Sequence, residues 1–250
     1  MSHAEISEGT PAVSPRRIAE ASFATNAADL MSIQLKRPTL SGPSSTGSGH
    51  VSPTSSQELH RLIEAVPPYV HGDDVCSVDA ARSKLSRAWR DVKLRAWSNP
   101  EEANRLDRRG RTCLHAACAR KPPLDVVKVL IQACDNDDAA DNHGRTPLAI
   151  AIAQSASIWV VMMLLASNTA ASRLSDRNNK FPLHLACCYA SNFKPDDSIK
   201  LVKALLETWP GASQQENIGG RTPLHMAIEA GAPVPIIEML VQECPATIVM

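Results

Sequence analysis

The sequence predicts an all-α solenoid of repeated helix–turn–helix units with short β-hairpin-like turns, preceded by a disordered tail. Three observations lead there. Four short segments recur in register from residue 107 onward. Phe, Trp and Tyr make up only 4% of residues against 44% hydrophobic, so Ala and the aliphatics must do the packing, which favours helices over a β-sandwich or barrel. The beginning of the chain also differs in kind from the rest, with a stretch from Leu40 to Ser56 that is largely Ser, Gly, Pro and Thr.

Residues 1–75 read as the tail. Few apolar residues there recur at helical or strand spacing, so no face could bury itself. The composition boundary falls near Cys76 to Asp79. Thr10-Pro11, Ser14-Pro15-Arg16-Arg17 and Ser52-Pro53 have the form a proline-directed kinase accepts, and phosphate there would have a cationic surface to visit. Met1 to Val13 holds two Glu and no Lys or Arg, and no apolar run of signal length follows, which argues against a secretory leader. Seven cysteines, two of them adjacent at Cys187 and Cys188, do not form a disulfide framework and indicate a reducing compartment, cytoplasmic or nuclear. Lys plus Arg number 26 and Asp plus Glu 26, so no global field selects nucleic acid or an anionic membrane.

Residues 76–106 follow as a capping helix or degenerate repeat. Leu85, Ala88, Trp89, Val92 and Ala96 keep the spacing of one helix face, while Arg82, Arg87, Arg90, Lys93 and Arg95 fall off it into water. Such a helix, over residues 82–95, is the alternative site of function, because a basic amphipathic helix can dock on anionic membrane or nucleic acid.

Then comes the repeat. Asp107–Cys118 (DRRGRTCLHAAC), Asp141–Ile152 (DNHGRTPLAIAI), Asp176–Cys187 (DRNNKFPLHLAC) and Asn217–Ile228 (NIGGRTPLHMAI) align, with Thr112, Thr146, Phe181 and Thr222 in one column at spacings of 34, 35 and 41. A second apolar block stands behind each, at Val126–Ile131, Val160–Leu165, Leu201–Leu206 and Ile236–Val241. The units run over about 107–140, 141–175, 176–216 and 217–250. Thr before Pro marks a helix start, because Thr accepts an orphan N–H and Pro has none to donate. Gly110, Gly144 and Gly220 sit at the turn tips, where positive φ is cheap for Gly and next cheapest for Asn179. Ala117, Ala151, Ala186 and Ala227 let neighbouring helices approach, and Leu114, Leu148, Leu183 and Leu224 fill the layer between them. In the third unit Phe181 forfeits the cap, and surplus residues around Ser191 to Asp197 read as a longer loop. Past Pro245, Ile248, Val249 and Met250 are apolar, so that end is expected to continue or to pack on something.

These four segments resemble ankyrin repeats, whose signature runs Asp, two variable residues, Gly, one variable residue, then Thr-Pro-Leu-His and a small-residue helix. The resemblance covers about residues 107–243. It implies that His115, His184 and His225 brace their turns by hydrogen bonds to backbone, and that the position between Gly and Thr faces a concave groove that contacts a partner. Arg111, Arg145, Lys180 and Arg221 hold that position, with Arg108, Arg109, Arg177 and His143 on adjoining tips, and a line of cations attracts an acidic or phosphorylated protein segment. A convex patch is expected at Trp159 and Met162, where other units place Asp125, Lys128, Lys200, Lys203 and Glu238. The function expected is a protein-binding adaptor or scaffold without catalytic activity.

Chemistry finds little foothold. Cys113, His115 and Cys118 lack a fourth zinc ligand. Cys187 and Cys188 follow His184 at helical reach, but Cys187 occupies a packing column and nothing supplies an oxyanion site. Neither GxGxxG nor GxxxxGK followed by Ser or Thr occurs, so no cofactor, metal or small-molecule substrate is expected. Gln154, Ser155 and Ser157 break the apolar run from Ala149 to Ala166, which rules it out as a membrane span.

Overall fold

The computed structural model describes residues 57–67, 75–134 and 139–243, with the side chains of all but 75–80, and these fall within one compact unit, His50–Met250. The helices are α1 (Glu58–Ala65), α2 (Val75–Ser98), α3 (Cys113–Cys118), α4 (Leu124–Ala133), α5 (Pro147–Ala153), α6 (Ile158–Ser167), α7 (Pro182–Cys188), α8 (Pro195–Thr208), α9 (Pro223–Glu229) and α10 (Val234–Glu243). Among the described residues there is no strand, so the β-like turns exist as hydrogen-bonded turns alone.

The helices stand in two rows. The odd-numbered ones each pack on the next odd one, the even-numbered likewise, and each odd helix packs on the even one that follows it. Leu114, Leu148 and Leu183, and the alanines at 117, 151, 186 and 227, are buried between them. Each buried leucine contributes about 2–3 kcal/mol of transfer free energy, while the alanines admit the close approach that lets the leucines meet.

α1 corrects the expected tail, which was drawn through residue 75. Glu58–Ala65 is helical, with Leu59, Ile63 and Val66 buried against α2 and α3. Its N-cap, Gln57, gives the helix no side-chain cap hydrogen bond. Instead Glu102 Oε2 accepts the Leu59 N–H at 3.1 Å and Arg95 Nε–H at 3.2 Å, and Arg95 Nη2 donates to the other carboxylate oxygen. Glu102 is buried on a 3-10 turn, Pro100–Glu102, and so serves α1 as a cap delivered from just beyond the C-terminal end of α2. Arg120 closes the other end by donating to the Val66 carbonyl. The expected degenerate unit is therefore a helix pair, α1 with α2, stacked on α3 with α4. Arg95, expected in water, is consumed by this contact, and Lys93 bonds Asp125 at 2.7 Å.

The surplus of the third repeat is also helix rather than loop. After a 3-10 turn at Ala190–Asn192, α8 starts at Pro195 and runs 14 residues against 10 in α4, α6 and α10. Pro at the first helical position with Asp196 and Asp197 beside the positive end of the dipole favours this early start. Phe181 does lack a cap oxygen. Its ring is buried, stacks on His184 at 5.9 Å and meets Trp209 edge-on at 5.2 Å. Such aromatic pairs are worth about 0.5–1.5 kcal/mol beyond burial, which offsets the roughly 1 kcal/mol of a lost cap. The phosphoacceptor candidates Thr10, Ser14 and Ser52, and the apolar end from Pro245 to Met250, lie outside the described residues.

Candidate functional site

The candidate site is the row of turn tips beside the odd-numbered helices. Each tip is tied by one side chain. Asp107 Oδ1 accepts the N–H groups of Arg109 and Arg111, both at 2.8 Å. Asp141 does the same for His143 and Arg145, Asp176 for Asn178 and Lys180, and Asn217 for Gly219 and Arg221. The backbone then turns back at positive φ: 69° at Gly110, 75° at Gly144, and 55° at Asn179, the residue the column tolerates next best. Gly144 is required twice over, since a Cβ there would stand 3.1 Å from the Arg177 nitrogen of the neighbouring tip. Adjacent tips are joined by single bonds, Asn142 N–H to Arg109 O (2.9 Å), Arg177 N–H to His143 O (3.0 Å) and Ile218 N–H to Asn178 O (3.0 Å).

The histidines carry the stacking one step further. Thr112 N–H donates to His115 Nδ1 at 3.1 Å, so the ring proton sits on Nε2, which donates to the Arg145 carbonyl of the next turn at 3.0 Å. His184 repeats this with Phe181 and Arg221. His225 keeps the inner bond to Thr222 but is exposed, as is Ile228, whose column partners Cys118, Ile152 and Cys187 are fully buried. No described residue covers this end. The column has a further member that the repeat alignment missed. His60 Nε2 lies 3.0 Å from the Arg111 carbonyl, so Leu59-His60 stands where Leu114-His115 stands one unit later. That dipeptide was its only trace in the sequence.

Burial pushes the His115 and His184 pKa below the ordinary imidazole value. Burial would also raise the carboxylates of Glu102, Asp107 and Asp141, but hydrogen bonds from arginine side chains and from backbone N–H groups outweigh it and hold all three low. The pH dependence follows. With folded pKa depressed, the histidines bind protons first in the unfolded chain, so stability should begin to fall as pH drops below about 6.5. The carboxylates contribute their stability above about 4, and it should be lost as pH falls further through their folded values. Urea midpoints measured from pH 8 to 3 should show a two-stage decline, and His115→Gln should flatten the upper stage.

Charge on the tips is less uniform than the column suggests. Arg111 bonds Asp107 at 2.7 Å and Glu64 of α1 at 3.0 Å, Arg145 bonds Asp141 at 2.7 Å, and Arg221 bonds Glu229 at 2.7 Å. Lys180 is half-buried. Arg108, Arg109, Arg177 and His143 are exposed, and among the described residues the three arginines make no ion pair. On the even row, Trp159 is 60% exposed, while Met162, expected beside it on the convex side, is half-buried against the core.

The cysteines sit in packing. Cys113, Cys118 and Cys187 are buried, and burial raises each thiol pKa. The structure brings Cys113 Sγ to 3.2 Å from His60 Nδ1, not to His115. With the thiol held protonated and sealed from solvent, this contact braces α1 against α3 and offers no nucleophile. Among the described residues no three His, Cys, Asp or Glu side chains converge as a metal would need, and no helix is long and apolar enough to cross a membrane.

The family model described as ankyrin repeats (3 copies) matches residues 90–172 and 153–249. Among curated proteins, Rabankyrin-5 of Mus musculus is 31% identical over 122 residues, covering 49% of this chain and 10% of that protein. Its Homo sapiens counterpart is 29% identical over 122 residues with the same shares. The chain thus spans about a tenth of the length of the curated relatives it matches.

Proposed function

We propose, starting from the fact that this chain belongs to the ankyrin-repeat family, that it is an adaptor or scaffold without catalytic activity whose turn tips hold an acidic or phosphorylated segment of another protein. Ankyrin repeats are protein–protein interaction modules; the narrower statement rests on charge. Arg108 and Arg109 stand exposed on the first tip and Arg177 on the third, with exposed His143 on the tip between, while the column cations at 111, 145 and 221 are matched by carboxylates of the chain itself. Unmatched guanidinium groups on rigid, mutually bonded turns are preorganised for bidentate contact with carboxylate or phosphate. Trp159 provides a second, apolar contact on the even-numbered row, with Met162 at its edge. A reducing compartment, cytoplasmic or nuclear, suits the five described cysteines, all of which are unbridged.

The test is binding of fluorescent acidic, phosphorylated and neutral peptides to the full chain, read by anisotropy. Arg108→Glu, Arg109→Glu and Arg177→Glu together should weaken the acidic and phosphorylated peptides on the order of tenfold, at low salt more than at high. Equal binding of neutral peptides, or indifference to the three substitutions, would overturn the reading.

A further inference from the structure

α2 is the longest described helix, at 24 residues, and part of its surface has no counterpart in the repeats. Trp89, Val92 and Ala96 are buried and Leu85 and Ala88 lean on the core. On the opposite side, Ser83, Arg87, Arg90, Leu94 and Trp97 fall within about 80° of arc and span about 21 Å. All five are exposed, Leu94 by 58% and Trp97 by 52%. A shallow groove near the stripe's start is lined by Arg82, Ser83, Ser86, Arg87 and Arg90. Lys93 and Arg95 are occupied by Asp125 and Glu102, whereas Arg82, Arg87 and Arg90 are in no ion pair among the described residues. Asp91 is the one carboxylate among residues 81–98.

The geometry points to a docking surface for an anionic phospholipid bilayer along this stripe. Arginines alone would suit any polyanion. Leu94 and Trp97, in line with them, ask for an apolar receiver at nearly the same depth, and a bilayer offers both layers, phosphate at headgroup level and acyl chain beneath. Trp is the side chain that settles at this boundary, with its ring in the apolar layer and its N–H in the wet one. The stripe is a surface anchor, since the opposite face of α2 is committed to the core.

The experiment sediments the full chain with vesicles of phosphatidylcholine, with and without phosphatidylserine. Pelleting is expected only with phosphatidylserine and should weaken with salt. Arg82→Gln, Arg87→Gln and Arg90→Gln combined should lower partitioning about a hundredfold, at roughly fivefold for each cation near an anionic surface. Leu94→Ser with Trp97→Ser should lower it roughly tenfold. On binding, the tryptophan emission should shift to the blue, and Trp97→Phe should abolish the shift. The substituted side chains are exposed, so far-UV circular dichroism should be unchanged. If the serine variant lost helix, Trp97→Phe and the glutamine variant would still decide. The proposal is overturned if phosphatidylserine vesicles leave the chain in the supernatant, or if binding survives either set of substitutions. It is also overturned if a duplex oligonucleotide is held more tightly than the vesicles at the same salt.

Discussion

Glu102→Ala should destabilise the repeat array by about 2–3 kcal/mol, the cost of removing a charged hydrogen-bond acceptor and leaving a buried backbone N–H unanswered. The carboxylate accepts from both Arg95 and the Leu59 N–H, so its loss leaves Arg95 with Glu58 at 3.7 Å and opens the first turn of α1. Leu59 and Ile63 would then lose the seat that buries them. Urea unfolding should show the drop, and hydrogen exchange should place it in α1 before the later units. Glu64→Ala removes a superficially similar contact, but Glu64 is 55% exposed where it meets Arg111, and its loss should cost under about 1 kcal/mol. Arg95→Met combined with Glu102→Leu should recover most of the loss, because apolar replacement of a buried pair is often neutral. About 1 kcal/mol should remain for the unanswered Leu59 N–H.

His115→Ala should cost about 2–4 kcal/mol, combining a cavity with two stranded backbone groups. The ring is fully buried between the Thr112 N–H and the Arg145 carbonyl, and removing it unties one turn from the next. His225→Ala, at the same column of the last unit, should cost no more than about 1 kcal/mol, since that ring is exposed and among the described residues bonds only to Thr222. A comparison of thermal midpoints for the two variants checks the pair. Equal losses would show that the histidine acts through the helix start alone and not through the following turn.

Both predictions depend on contacts of very different sequence range, and that range decides how much could be read in advance. The Asp, Gly, Thr and Pro columns were legible because each is satisfied inside its own turn. Asp107 reaches Arg109 and Arg111, and Thr146 reaches the Ala149 N–H at 3.2 Å. The small-residue helices were legible from their repetition. α1 was not, because its first turn has no capping residue of its own and borrows Glu102, 43 positions away. The length of α8 was missed for a related reason: residues read as surplus had good helix-starting chemistry, and only packing against α6 and α10 shows that the helix uses it.

The candidate site divides along the same line. The order of the turns, and the placing of Arg108, Arg109, Arg111, Arg145, Arg177, Lys180 and Arg221 along them, follow from local spacing, and the sequence by itself determined them. Which of these charges are left exposed and unpaired among the described residues was decided by the tertiary structure alone. Arg111 finds Glu64 from another unit, Arg221 finds Glu229 at the far end of α9, and the tip arginines at 108, 109 and 177 find no carboxylate among the described residues. A hydrogen bond within a turn is set by a few dihedral angles. An ion pair between units depends on how whole helices come to rest on one another.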